Sequence, residues 1–520
     1  MYDKTKVIFK WVQVPTTGQK DVAMTLTFNN AYQQYATQWE ENYACYKGMS
    51  AIISAGLVGK HPRESEENWA YREAKLCSPN YTRAVEDAYT AHLTRKQGTV
   101  FPGVLEANVL FNLFLEDADY NGSKFLDIFT QESSFCGVLG GIGYLVDMPA
   151  FDIATNMSIL EASEKKIYPY VSIYYPPNIL DWQYIRDEWG RPILVFLKLL
   201  DDDGYIRCWW DMGDEIKWEV YQSDINVLSA AAVGENTIYR IQAHSLTLSS
   251  TPRKISEGGT NKIKYIPFTF APNKKSGIRM IGESDVTDIA RLDVRIIDNL
   301  ARIGEIADIA AFPILLLPKE RSGEAPAERA IGPSATLPID PISGITPQWL
   351  KAEVAEPIRA LWEDNEKIIE EIYRVALFGG MDQMNGGNNT GPALNIKYQQ
   401  LGARLAEKAH FQEQAGNMIL YHWQSWLGLE IDEQAKIQMP HDYNVEDLAA
   451  DIDQAIKSSN FVAAEAFRRE MRKAISNKML PNLPIDVQKE ISDEITETSE
   501  QIEQEKRVAA EMPPIDNIEE

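Results

Sequence analysis

Six histidines, His61, His92, His244, His410, His422 and His441, are the side chains of this chain best suited to metal or proton chemistry, and no two fall at a metal-ligand spacing. His410 and His422 lie on one predicted helix, but about three turns apart, too far to share a metal. His92 falls on the apolar face of a helix that Asn80 can cap, with Tyr81, Val85 and Ala88, so a packed, hydrogen-bonded imidazole is expected there. The chain has no Gly-x-Ser-x-Gly elbow, no Gly-x4-Gly-Lys-Ser/Thr loop and no His-Glu-x-x-His helix. Gly140-Gly141-Ile142-Gly143 precedes a strand, whereas a phosphate loop follows a strand and opens a helix, so these glycines read as a helix-to-strand turn. Asp201, Asp202 and Asp203 lack the EF-hand spacing and its closing glutamate, and read as a solvated hairpin turn. Trp209-Trp210 and Tyr174-Tyr175 could stack on bases, but no basic stripe accompanies them, and packing on a sheet face is the expectation. No catalytic residue, metal ligand or cofactor-binding residue is identified, no cofactor is expected, and the chain reads as a non-enzyme.

Charge limits the partners. Lys and Arg number 51 against 76 Asp and Glu, a formal charge of -25, which opposes a tight, sequence-independent grip on nucleic acid. The same repulsion would suit a conduit through which DNA slides without sticking. With 44% hydrophobic and 24% charged residues and a mean hydropathy of -0.30, the chain has an ordinary globular composition. Cys45, Cys77, Cys136 and Cys208 form no Cys-x-x-Cys pair, and four cysteines in 520 residues point to a reduced compartment. The N-terminus has no apolar signal core, and no run approaches 18 apolar residues, so neither secretion nor membrane insertion is expected.

The elements carry more information. Residues 1 to 35 are ambiguous, with a possible strand at Lys6 to Val14, and a helical pattern runs from Tyr32 to about Lys96. Ser123 to Leu139 reads as a helix and Gly143 to Asp147 as a buried strand. From Tyr168 to about Phe270 the chain is strand-rich, with Tyr170 to Tyr175, a hairpin of Ile193 to Leu200 with Tyr205 to Trp210, and a strand at Lys264 to Phe270.

A long helix is expected over Ser284 to Phe312, with Ile289, Ile296 and Ile303 seven apart and Leu292, Leu300, Ile306 and Ala310 between them; Ser284 can cap it, Asp285 suits its dipole and Pro313 stops it. Seven prolines between Pro313 and Pro347 make a compact extended insert. A second stripe, Val354, Ile358, Leu361, Ile368, Ile369, Ile372 and Ala376, ends at Gly379-Gly380, with Pro357 tolerable in the first turn. The Gly/Asn-rich loop Met381 to Gly391 follows, then a third stripe of Leu401, Leu405, Ala409, Ala415, Ile419, Trp423 and Trp426 up to Gly428. Ala435 to Met439 is a short segment, Val445 to about Ser476 is helical, and the acidic residues from Pro481 to Glu520 read as a frayed or surface arm.

This order resembles the portal protein of tailed bacteriophages. Asn121-Gly122-Ser123 through Gly143-Tyr144-Leu145-Val146-Asp147-Met148-Pro149 resembles its helix-glycine-strand unit. Tyr168 through Ile179-Leu180-Asp181-Trp182 resembles its strand, proline and aspartate-tryptophan segment. Ile266-Pro267-Phe268 followed by Gly282-Glu283-Ser284-Asp285 resembles the approach to its stem. The resemblance covers roughly residues 60 to 475 and rests on element order, since each motif alone is weak. It implies an α+β fold: an N-terminal extension at 1–59, an α/β wing at 60–283, stem helices at 284–312 and 352–378, and a proline-rich clip at 313–351. A tunnel loop at 379–394, a long kinked wing helix and return strand at 395–440, a helical crown at 441–480 and an acidic tail at 481–520 complete it.

The resemblance further implies a ring, usually of twelve subunits, at one capsid vertex of a virion, assembled in the host cytoplasm. Double-stranded DNA would be packaged and ejected through it without tight binding. A packaging ATPase (the terminase large subunit) and then a head-tail adaptor would dock on the clip at Lys319, Glu320, Arg321, Glu324, Glu328 and Arg329, with major capsid and scaffolding proteins as further partners. Asp382, Gln383, Met384, Asn385, Asn388 and Asn389 would approach the passing DNA. Residues 1–59 match no element of that family, and the clip carries no distinctive partner-binding motif. Two other readings stay open: an acidic cytoplasmic enzyme with catalytic carboxylates among its 76 acidic residues, and a different capsid or adaptor protein of a virion.

Overall fold

A computed structural model describes residues 28–443, apart from 63, 150–158, 202–204, 214, 223–252, 257–259, 262, 312–313, 317–347, 351–353, 377–390 and 441–442; beyond these it describes 469, 472–473, 476, 491–498 and 501. The chain divides into two compact units, Met1–Tyr443 and Asn444–Glu520. In the second, the described residues are helical, including 491–498, so at least one turn of the predicted frayed arm is ordered as helix.

The first unit opens with helices α1 (Asn30–Lys47), α2 (Met49–Ser54), α3 (Glu66–Lys75) and α4 (Tyr81–Leu93). Asn29, Ser65 and Asn80 cap α1, α3 and α4 through their side-chain oxygens, satisfying first-turn N–H groups that have no partner within the helix. Part of the predicted N-terminal extension therefore belongs to the core: Tyr32, Trp39, Ala44 and Cys45 of α1 are buried. Strand β1 (Thr99–Phe101) leads to α5 (Val109–Glu116), α6 (Phe125–Gln131) and α7 (Ser133–Leu139). The single helix expected over Ser123 to Leu139 is thus two, interrupted at Glu132.

Every strand pair in the described residues is antiparallel. Strand β2 (Gly141–Asp147) is central in a three-stranded sheet; β3 (Tyr170–Tyr174) pairs on one side and the later β10 (Phe268–Pro272) on the other. β10 starts four residues beyond the predicted Lys264, after Pro267, whose missing N–H suits the position before a strand. Helix α8 (Ile159–Glu164) lies between β2 and β3 in the chain. A six-stranded sheet follows, with β4 (Ile179–Arg186), β5 (Pro192–Leu200), β6 (Tyr205–Asp211), β7 (Ile216–Gln222) and β8 (Arg253–Ser256) in that order, and β9 (Thr260–Asn261) also on β7. Trp209 is buried opposite Trp218, and Tyr174 is buried with its hydroxyl on Asp201, so these aromatics serve the sheet as packing residues. Asp201 departs from the solvated turn expected of it: it also pairs with Arg207 at 3.0 Å, while 202–204 lie outside the described residues.

Three long helices complete the unit: α9 (Thr287–Ala311), α10 (Ala355–Val375) and α11 (Gly391–Trp426). Strands β11 (Ile314–Leu316) and β12 (Gln348–Leu350) pair immediately after α9 and before α10, which makes the two helices an antiparallel pair. The rest of the proline-rich insert, 317–347, and the predicted strand at Lys6 to Val14 lie outside the described residues, as does most of the helical stretch predicted from Val445. Strand β13 (Lys436–Gln438) pairs with β1 and runs beside α11, where Asn417 Oδ1 accepts from Ile437 N at 2.7 Å. The third apolar stripe buries Leu401, Leu405, Ala409, Ala415, Ile419 and Trp423, and the indoles of Trp423 and Trp426 donate to the carbonyls of Pro169 and Val146.

Gly140 ends α7 at φ +87°, a conformation that side chains with a Cβ adopt only under strain, and a Cβ there would strike the Gly282 carbonyl. The turn that hints at a phosphate loop is therefore a close backbone crossing between α7 and the approach to α9. Replacing Gly140 with Ala should lower the unfolding free energy by about 2–4 kcal/mol, combining left-handed strain with overpacking, measured as a lower urea midpoint with unchanged m-value.

Candidate functional site

All twelve side chains that the family resemblance singled out lie outside the described residues: Asp382, Gln383, Met384, Asn385, Asn388 and Asn389 in the loop, and Lys319, Glu320, Arg321, Glu324, Glu328 and Arg329 in the insert. The described residues instead show how the helices flanking both segments are held. Helix α11 begins at Gly391, so the last four residues of the predicted 379–394 loop are helical.

The helix pair is joined across its middle by polar side chains. Arg295 of α9 donates to both carboxylate oxygens of Asp364 of α10 at 3.0 Å, and Asn299 donates to Asp364 at 2.8 Å and to Asn365 at 2.9 Å. Asn299 and Asn365 are buried, so their mutual bond fixes the register of the two helices more sharply than apolar contact would. Burial changes at this point. On the body side Ile289, Ile296, Ile368 and Ile372 are buried. On the strand side, no described residue of α9 after Asn299 and none of α10 before Asn365 is buried, although Ile303, Ile306, Ile358 and Leu361 continue the apolar stripes.

At the body end the pair is rooted in an enclosed ion cluster. Asp285, two residues before α9, forms ion pairs with Lys408 and, at 2.9 Å, with Arg404, which stand one turn apart on α11. Arg404 also pairs with Glu407 at 2.7 Å. Lys408 Nζ lies 3.9 Å from Glu86 of α4 and 4.9 Å from the centre of the Tyr89 ring. The Tyr89 hydroxyl donates to the Ala376 carbonyl at the end of α10, and the Asp285 N–H donates to Gly137 of α7. Five elements meet here. Ser284 caps the turn before the helix instead of the helix itself, its hydroxyl accepting from Val286 N, while the adjacent Asp285 pairs with the α11 cations.

The electrostatics divide the two carboxylates. Burial alone would raise the Asp285 carboxyl, but Lys408 and Arg404 outweigh it and hold that group below the usual carboxylate range. Glu86 is fully enclosed, and neither of its oxygens has a hydrogen-bond partner among the described residues. Burial therefore pushes Glu86 well above the usual range despite the pull of Lys408. The carboxyl packs against Gly137, where any Cβ would collide with it.

Sequence reasoning places Asp285 as a dipole partner and overlooks Glu86, Arg404 and Lys408. The signal was available: Glu86 lies on the stripe of Val85, Tyr89 and Leu93, and Lys408 on that of Leu401, Leu405 and Ala409, each a charge on an apolar face. His92 is half-buried and has a polar interaction, while His422 is buried in α11 and burial pushes its imidazole down to about 4, keeping it neutral. His244 and His441 lie outside the described residues. Among the described residues no group of three or more His, Cys, Asp or Glu is placed to hold a metal ion, and no helix is long and apolar enough to cross a membrane.

No family model and no curated protein matches the chain. Among solved structures it is similar to a chain in the neck of a native gene transfer agent particle computed with C12 symmetry, at a TM-score of 0.40 and 11% identity, covering 82% of this chain and 98% of that one. A chain in the virion of a native gene transfer agent particle gives the same values. The neck of an empty particle computed with C6 symmetry gives 0.41 and 10%, covering 81% and 97%.

Lys408→Met should cost about 1.5–3 kcal/mol of stability because it removes one of the two cations that Asp285 pairs with and the cation beside Glu86, seen in denaturant unfolding. Glu86 has the opposite linkage from Asp285. Because its folded form keeps its proton to higher pH, its contribution is intact below the usual glutamate value near about 4.3 and is lost as pH rises through the folded value. Glu86→Gln should therefore be more stable than the parent at pH 8, with the gap closing toward pH 4, in paired unfolding curves.

Proposed function

We propose that this chain is a portal-type subunit: a component of a phage-like virion that closes into a ring through which double-stranded DNA passes. The observation that carries the reading is the α9/α10 pair. It is a rigid antiparallel strut, rooted in an ion cluster and locked by Asn299 and Asn365, whose apolar stripes run on past the point where the subunit's own burial ends. Among the described residues that half is only partly buried, and a ring of struts would cover it further. Cyclic closure uses head-to-tail contacts, in which the two contacting faces need not be alike.

On this reading α9 and α10 are the stem, the insert between them is the clip that docks a packaging ATPase and later a head-tail adaptor, and residues 379–390 form the loop nearest the DNA. Residues 60–283 form the wing, α11 the long wing helix, and residues 441–480 the crown. The formal charge of -25 favours passage over binding. The nucleotide chemistry of packaging belongs to the ATPase partner.

Native mass spectrometry with negative-stain imaging tests the assembly. A closed ring near twelve copies with a central hole is expected, and a protein that stays monomeric at high concentration overturns the reading. Deleting 383–389 should leave the number of subunits in the ring unchanged while reducing nuclease-protected DNA in assembled heads at least tenfold; undiminished packaging would remove those residues from the DNA path.

A further inference from the structure

One carboxyl at the root of the strut is left without a hydrogen bond. Glu86 of α4 is fully buried, neither of its oxygens has a hydrogen-bond partner among the described residues, and Gly137 of α7 packs so closely that a Cβ there would overlap the carboxyl. Its contact with Lys408, at 3.9 Å, is too long to be one. Lys408 sits instead on Asp285, which also holds Arg404 at 2.9 Å. Two cations therefore serve one carboxylate, while the neighbouring carboxyl has none at bonding distance.

A second arrangement of the same charges lies close by. Lys408 carries three N–H donors, and a shift of about 1 Å toward Glu86 would bring it to the usual distance of a charge-assisted bond. Asp285 would keep Arg404, so neither carboxylate would be stranded in the interior. The first arrangement suits a neutral Glu86 and the second an ionised one, so the two packings of the cluster differ by a single proton. Burial opposes ionisation of Glu86 most strongly, Asp285 and Asp87 add to that, and Lys408 and Arg404 of α11 pull the other way. Burial pushes Cys136 of α7 up to about 12 and also raises Tyr89 of α4 and Tyr46 of α1, which keeps all three neutral around Glu86. Asp293 of α9 meets α4 one turn earlier, where it accepts from the Thr82 hydroxyl.

We propose that Glu86 is a proton-controlled latch on the base of the strut: protonated, it leaves Lys408 to Asp285, and ionised, it competes for Lys408 and loosens the hold of α11 on the start of α9. Its neighbours give the latch reach. The Asp285 N–H donates to the Gly137 carbonyl at 3.0 Å, and Tyr89, one turn along α4 from Glu86, donates its hydroxyl to the Ala376 carbonyl at the end of α10. Glu86 thus lies beside the ties that hold the start of α9 and the end of α10. Since burial raises the folded value of Glu86, the tight form is complete below the usual glutamate value near about 4.3 and is lost as pH rises through the folded value. The device lies inside a single subunit and does not rest on the ring reading.

Hydrogen exchange of the full-length chain, read by mass spectrometry from about pH 5 to about pH 9 and corrected for the intrinsic exchange rate, tests the latch. In the parent, protection of residues 285–292 should fall by about fivefold or more as pH rises. In Glu86→Gln it should stay high throughout, because the competing acid is gone. In Lys408→Met it should stay low throughout, because the contested cation is gone. A fall of the same size in Glu86→Gln assigns the pH dependence to another group, Asp293 included, and overturns the latch. So does a fall that persists in Lys408→Met, or protection in the parent that is level across the range.

Discussion

The structure depends on a buried charge cluster that no single element could stabilise. Asp285, Lys408, Arg404 and Glu86 come from the approach to α9, from α11 and from α4; Glu86 and Lys408 are buried, and Arg404 is half-buried at the edge of the cluster. Burying an unpaired ion costs several kcal/mol, so the cluster penalises any arrangement in which one of these elements is displaced. Apolar packing alone would tolerate a helix sliding by a fraction of a turn. The ion cluster does not, because Lys408 has to reach Asp285 while the Tyr89 hydroxyl holds the end of α10.

The strut inherits its direction from this root. Closer to the middle, the Asn299–Asn365 bond repeats the same device in neutral form, a buried amide pair in which Asn365 Oδ1 accepts from Asn299 while Asn365 Nδ2 has no partner among the described residues. Between these two fixed points the isoleucines of α9 and α10 supply bulk stabilisation, at about 1.5–3 kcal/mol for each fully buried side chain. Past the second point the stripes continue with residues that are only half-buried among the described residues, Ile303, Ile306, Ile358 and Leu361. The fold thus concentrates its most specific described interactions where the strut leaves the body.

Much of this was readable in the residues. The stripes of α9, α10 and α11, the cap at Asn80, the hairpin of β5 and β6 and the glycine stop of α7 follow from periodicity and from local chemistry that acts within a few residues. Those signals fail where the decisive partner is distant. Ser284 was expected to cap a helix, and Asp285 to serve its dipole, since both lie beside its first turn; Arg404 and Lys408, more than a hundred residues away, draw Asp285 off that role. Glu132 breaks the expected helix before Gly140, and its carboxylate accepts from the Tyr175 hydroxyl at 2.6 Å, a tie to the residue after β3 that no window of helical residues contains.

The sequence by itself determined the long helices, the strand-rich middle, the acidic balance and the identity of the segments between the helices, because hydrophobic period, proline and glycine act locally and charge is additive. It also contained, unread, the mark of the root: Glu86 and Lys408 each stand on an apolar face, where a charge demands a partner. Only the tertiary structure decided that Lys408 stands between Glu86 and Asp285, and that α9 and α10 are locked at Asn299 and Asn365. Those are relations between residues far apart in the chain. They are fixed by which charges and amides come together when the helices pack, and that is a property of the packed whole.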